Sequence, residues 1–169
     1  EGKCDTPVQY QKHMTQHMID GVPRDWMRHV TNVFLIRHPA RVIASYAAKR
    51  ENPMLDDIGF RQQADLFELV RSWGQAPVVV DSHDIRDNPH AMLEKLCDVI
   101  DLPFSPEMLS WPRGGHKDDG VWAAHWYGAV WNSTGFAEPE GPLPEVPQAL
   151  QPVLDAALPY YEDMKAQKI

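Results

Sequence analysis

Apolar residues fall into two kinds of run along this chain. Residues 32–37 (NVFLIR) and 77–81 (PVVVD) are short and almost continuously apolar, the pattern of strands covered on both faces of a parallel sheet. Residues 8–12 predict a third, shorter strand ending at Lys12. Elsewhere apolar positions recur every three or four residues. His38-Pro39 opens a helix over 39–50, with proline where a first turn tolerates it and Val42, Ile43, Tyr46 and Ala47 on the inner side. Asn52-Pro53 ends it. A second helix over 57–73 aligns Phe60, Ala64, Phe67, Val70 and Trp73, and Gly74 stops it. Asn88-Pro89 starts a third, whose stripe is Met92, Leu93, Leu96, Cys97 and Ile100.

The texture changes at Trp111, first to a Gly-rich loop and then to a stretch holding Trp122, Trp126 and Trp131. Trp126 and Trp131 are expected in the core rather than in a base-stacking platform. Residues 137–147 carry four prolines and three glutamates and predict an extended linker. A last helix sets Leu150, Leu154, Ala157 and Tyr161 inward, with Pro159 kinking or splitting it. Strands alternating with helical crossovers predict an α/β fold with a mostly parallel sheet. The division is an α/β domain over 1–136, the linker, and a helical segment over 148–169.

Composition narrows the function. The chain has 169 residues, 16 basic and 24 acidic, for a net charge of −8. A broadly cationic nucleic-acid binder is therefore not expected, and no apolar run is long enough to span a bilayer. The two cysteines, Cys4 and Cys97, make no disulfide framework, so the expected compartment is the cytoplasm.

Against that acidic background one stretch is basic. Between positions 24 and 50 stand Arg24, Arg28, Arg37, Arg41, Lys49 and Arg50 against the single acid Asp25. Ligands of such sheets bind beyond the carboxyl ends of the strands. Arg37 ends its strand where the next helix begins, and a helix start offers free N–H groups and positive potential to an anion. A guanidinium there suits phosphate or sulfate, and Ser45 on the following helix adds a hydroxyl. Arg41, Lys49 and Arg50 are expected on the solvated helix face.

Residues 11–17 (QKHMTQH) form a second polar cluster. Lys12 would steady a leaving oxygen while His13 or His17 accepts a proton. The two histidines have the i, i+4 spacing of a metal pair, but the glutamate of the zinc-protease motif is missing and spacing offers no third ligand. No metal is expected. Neither G-x-S-x-G nor G-x-G-x-x-G occurs.

Residues 34–50 (FLIRHPARVIASYAAKR) resemble the sulfotransferase family that uses 3′-phosphoadenosine 5′-phosphosulfate, within the P-loop fold. That family has a strand ending in arginine and a serine eight residues later, which Arg37 and Ser45 match. The resemblance implies that these two hold the 3′-phosphate of the donor. WPRGGHKDDGVW (111–122) is similar to the loop that closes over the nucleotide, which implies Arg113 and Gly114 near the same phosphate. Residues 77–104 are similar to a later, structural strand and helix. QKHMTQH stands where the family has Lys-x-His, so Lys12 carries over, while His13 and His17 compete for the base.

The likeness covers about the first 136 residues. Its texture is similar to bacterial sulfotransferase-like proteins sometimes linked to, or mislabelled as, branched-chain aminotransferases. It implies a three-layer P-loop-like fold, a small-molecule hydroxyl or amine acceptor, and no metal. The family's first strand and phosphate loop would precede Val8, and residues 1–7 hold no such loop. The chain is therefore expected to be the carboxyl-terminal part of a sulfotransferase domain, inactive alone and prone to homo-oligomerise through an open sheet edge. The alternatives are a P-loop kinase-like phosphotransferase and a non-catalytic module of the same fold. A pyridoxal-phosphate aminotransferase has little support, because no lysine sits in a convincing Schiff-base setting.

Overall fold

A computed structural model describes residues 6–48, 52–121 and 123–169, and of Trp126 only the backbone. Two parallel strands, β1 (Val33–Ile36) and β2 (Val78–Asp81), pair from Val33 beside Val78 to Ile36 beside Asp81. The crossover between them carries three helices: α1 (Pro39–Ala47), α2 (Leu55–Ile58) and α3 (Phe60–Ser72). After β2 come α4 (Ser82–Asp87) and α5 (Pro89–Val99), two short helices α6 (Ala123–Trp126) and α7 (Gly128–Trp131), and a long α8 (Gln151–Lys165). The architecture is mixed α/β with a small parallel sheet.

The core lies where α1, α3 and α8 meet the strands. Ile43 from α1, Val70 from α3, Val79 from β2 and Ala157 from α8 are fully buried there. Both proline-opened helices start as the sequence predicts. Asn88 Oδ1 accepts the Ala91 N–H at the start of α5, and the His38 ring nitrogen Nδ1 accepts the Ala40 N–H at the start of α1.

Five expectations change. First, β1 is not covered on both faces: Phe34 and Ile36 are buried, whereas Val33 and Leu35 are 41% and 55% exposed. Its partner β2 is buried at all four positions. Second, residues 8–12 form no strand. Val8 and Tyr10 are exposed, and Val8 O accepts the Thr6 hydroxyl at 2.9 Å. Third, the helix expected over 57–73 is two helices, because Gly59 adopts a left-handed φ of +73° between α2 and α3. Fourth, α8 runs unbroken through Pro159. That residue is on the solvent side, while Ala157, Tyr161 and Met164 anchor the helix inward.

Fifth, Arg41 is not on a solvated face. Its side chain is only 14% exposed. Lys49 and Arg50, expected beside it, lie outside the described residues, as do Cys4 and Trp122. Cys97 is buried with a free thiol. Among the described residues no helix is long and apolar enough to cross a membrane.

Candidate functional site

The carboxyl ends of β1 and β2 point the same way, so the first residues after each strand converge. Arg37 follows β1, Arg41 lies in the first turn of α1, and Arg86 lies on α4 five residues beyond the end of β2. All three guanidinium groups meet on one carboxylate. Glu140 Oε1 accepts Arg37 Nε at 3.0 Å and Arg86 Nη1 at 3.0 Å, and takes a second, shorter bond from Arg37 Nη2. Glu140 Oε2 pairs with Arg41 Nε at 2.9 Å. The Glu140 side chain is 2% exposed. Two backbone carbonyls beside it are also acceptors: Gly141 O for Arg41 Nη2, and Glu138 O for Arg86 Nη2.

Three guanidinium groups thus converge on one oxyanion, the Glu140 carboxylate, at the start of α1. Burial opposes ionisation of Glu140. The hydrogen bond from Arg37 and the charges of Arg37, Arg41 and Arg86 outweigh it, so its carboxyl titrates below the ordinary glutamate value. Donor capacity is left over, since Arg86 Nε is buried without a hydrogen-bond partner among the described residues.

Below this cluster a second polar group supports the strand end. Asp81, buried at the end of β2, accepts the His83 N–H at 2.9 Å and the Tyr161 hydroxyl at 2.8 Å. Burial, then the bond to Asp81, push the Tyr161 phenol well above its ordinary pKa. The His38 ring packs edge-on against Tyr161, with centroids 5.2 Å apart. Burial is the main cause that lowers the His38 pKa from its ordinary value.

Ser45 stands one turn beyond Arg41 on the same face of α1, at i+4, and is exposed. No hydrogen bond joins it to Arg37 among the described residues. Arg113 is exposed, and Gly114 follows with a φ of +118° and donates its N–H to Trp131 O at 2.8 Å. Asp119 holds the same loop by accepting Trp131 Nε1 and the His116 N–H. Trp131 is thus partly buried as the post around which this loop is wound.

Lys12, His13 and His17 are all exposed. Lys12 is in an irregular segment rather than at a strand end. The His13 ring packs at a tilt against Trp26, with centroids 4.7 Å apart, and His17 ends a short 3-10 helix, Thr15–His17. Thr15 ties that turn to the junction of α2 and α3 by donating to Gly59 O at 3.1 Å. Among the described residues no hydrogen bond or ion pair links these three side chains to the arginine cluster. Nor does any group of three or more metal-ligating side chains occur there.

A cleft of about 550 Å³ lies beside the Thr15–His17 turn, lined by Gln16, Asp20, Arg24, Asp56 and Asp57 among others. Asp56 and Asp57 come from α2.

The sequence points to Arg37 but puts Arg41 on the solvated face and passes over Arg86 and Glu140. The rule that selects Arg37, a basic residue just past a strand's carboxyl end, also selects Arg86 once α4 is recognised. Glu140, one acid among several in a proline-rich tract, carries no such signal.

Among curated proteins, branched-chain-amino-acid aminotransferase-like protein 1 of Arabidopsis thaliana is 30% identical over 165 residues, 98% of this chain and 30% of its own length. The corresponding protein 2 is 28% identical over 154 residues, 91% of this chain and 27% of its own length. The chain thus spans less than a third of these relatives. A solved sulfotransferase domain from the curacin biosynthetic pathway matches 77% of this chain and 53% of its own, with 22% identity and a TM-score of 0.45. A family model described as a sulfotransferase domain matches residues 3–168, and the chain belongs to that family.

Proposed function

We propose that this domain binds 3′-phosphoadenosine 5′-phosphosulfate and serves transfer of its sulfuryl group to a hydroxyl or amine of a small molecule. The observation that supports the reading is the gathering of Arg37, Arg41 and Arg86 on a single oxyanion where α1 begins. Forks of this kind fit the charge and shape of a phosphate. In this reading Arg37 and Ser45 hold the 3′-phosphate, and Arg113 and Gly114 approach it from their loop.

Transfer is an in-line displacement. The acceptor oxygen or nitrogen forms a bond to sulfur as the bond from sulfur to the 5′-phosphate oxygen breaks. Lys12 is assigned to that leaving oxygen, and His17 or His13 to the acceptor's proton. The products are the sulfated acceptor and adenosine 3′,5′-bisphosphate. Positioning and charge supply most of the acceleration in displacements of this type.

One observation favours a second reading, a non-catalytic module that kept the fold: the Arg37 guanidinium is already paired within the chain. Calorimetry with adenosine 3′,5′-bisphosphate separates the two. Saturable binding without magnesium supports the donor site. A folded protein that ignores the bisphosphate supports the module, and magnesium-dependent binding of ATP would point instead to a phosphotransferase.

A further inference from the structure

Glu140 is a buried carboxylate in an otherwise exposed strap. Residues 136–139 and 141–143 are all exposed, and Glu140 alone is buried. Proline at 139 and 142 leaves this stretch in neither helix nor strand. What fastens residues 138–141 is a set of acceptors, one carboxylate and two carbonyls, and every donor is a guanidinium of Arg37, Arg41 or Arg86. These are the interactions an oxyanion from solution would make.

The match is also incomplete. Three guanidinium charges face one carboxylate charge, and Arg86 Nε has no acceptor among the described residues. A phosphomonoester dianion brings a second negative charge and a third free oxygen, so it suits the cluster better than the strap does.

We propose that Glu140 is a built-in competitor. Its strap closes the Arg37–Arg41–Arg86 site when no ligand is present, and a phosphomonoester dianion displaces it. That the phosphate is the 3′-phosphate of a nucleotide rests on the reading under Proposed function; the competition itself does not. The strap lowers apparent affinity by the fraction of molecules that are open, so an open fraction of about a tenth costs about tenfold in binding.

The test is to titrate inorganic phosphate and adenosine 3′,5′-bisphosphate into the parent chain and into Glu140→Gln by calorimetry. A glutamate-specific protease gives a second readout on the parent alone. Glu138 precedes proline and resists it, the Glu140–Gly141 bond is cut only when the strap is free, and Glu145–Val146 serves as internal reference. The expected result is roughly tenfold tighter binding to Glu140→Gln and faster cutting after Glu140, relative to Glu145, when the parent is saturated with bisphosphate.

Equal affinity in parent and variant, or an unchanged cutting ratio at saturation, overturns the competitor and leaves the donor reading standing. Stronger phosphate binding to the variant, with no preference for the bisphosphate, keeps the competitor and removes the donor reading. Absence of binding by either probe to either folded protein overturns both. Should Glu140→Gln not fold, the cutting ratio on the parent decides.

Discussion

Arg37 and Glu140 lie 103 residues apart in sequence and meet through two hydrogen bonds to one carboxylate oxygen. The pair joins the end of β1 to a strap that follows the last short helix, and it forms at the position where this fold class places its ligands. The ion pairs that fasten the strap and the proposed donor site therefore draw on the same three guanidinium groups.

Two ion pairs of equal length should behave differently. Arg41–Glu140 and Arg61–Asp56 both measure 2.9 Å, but the first is 14% and 2% exposed and the second 45% and 59%. Water and salt screen the exposed pair, whereas loss of either partner of the shielded one strands a charge. Double-mutant cycles by urea denaturation should give a coupling of about 1–3 kcal/mol for Arg41–Glu140. The coupling for Arg61–Asp56 should be smaller and should vanish in high salt.

Tyr161→Phe should destabilise the protein by about 2 kcal/mol, since Asp81 loses one of its two hydrogen-bond donors in a buried setting. The phenol's pKa is raised by burial and then by Asp81. Above pH 10 the unfolded chain ionises first, so stability from this group falls as pH rises. Denaturation at pH 8 and pH 10.5 should show the parent losing more stability than Tyr161→Phe.

The pH dependence below neutrality should trace in part to His38. Burial is the leading cause that lowers its pKa, and Lys165 and Arg41 add to the effect against Glu162 and Asp81. As pH falls through 6.5 the unfolded chain takes up the proton before the folded one. Stability should therefore decline below 6.5 and level off once the folded histidine also titrates. His38→Asn, which keeps an acceptor for the Ala40 N–H, should remove that part of the slope in denaturation curves between pH 7 and 5.

β1, β2, α1, α5 and the inward face of α8 were legible because periodicity and the His-Pro and Asn-Pro openings are local signals, whereas the strand expected over 8–12 does not form. The position of Arg37 just past β1 was legible because the apolar run stops there. Three features were not. The exposure of Leu35 depends on what packs against β1, which no local pattern encodes. The left-handed turn at Gly59 interrupts a stripe that reads as continuous. The insertion of Glu140 joins segments about a hundred residues apart, and only tertiary packing turns one glutamate of a proline-rich tract into a buried partner.

Gly59→Ala should loosen the histidine-bearing turn rather than the core alone. A methyl group at 59 would stand 2.6 Å from Thr15 Oγ1 and 3.0 Å from Gln16 N, on a backbone at φ +73°. The cost should be about 1–3 kcal/mol. His17 resonances should shift in NMR spectra, while those of Trp131, in a separate loop, stay in place.

The most direct measurement is calorimetric titration of adenosine 3′,5′-bisphosphate into the parent chain and Arg37→Ala. Glu140 keeps Arg41 and Arg86 in the variant, so its stability should fall by only about 1 kcal/mol while its affinity for the bisphosphate is lost or reduced at least tenfold. Equal binding by the two proteins, both shown to be folded, would contradict the assignment of this arginine cluster to the donor.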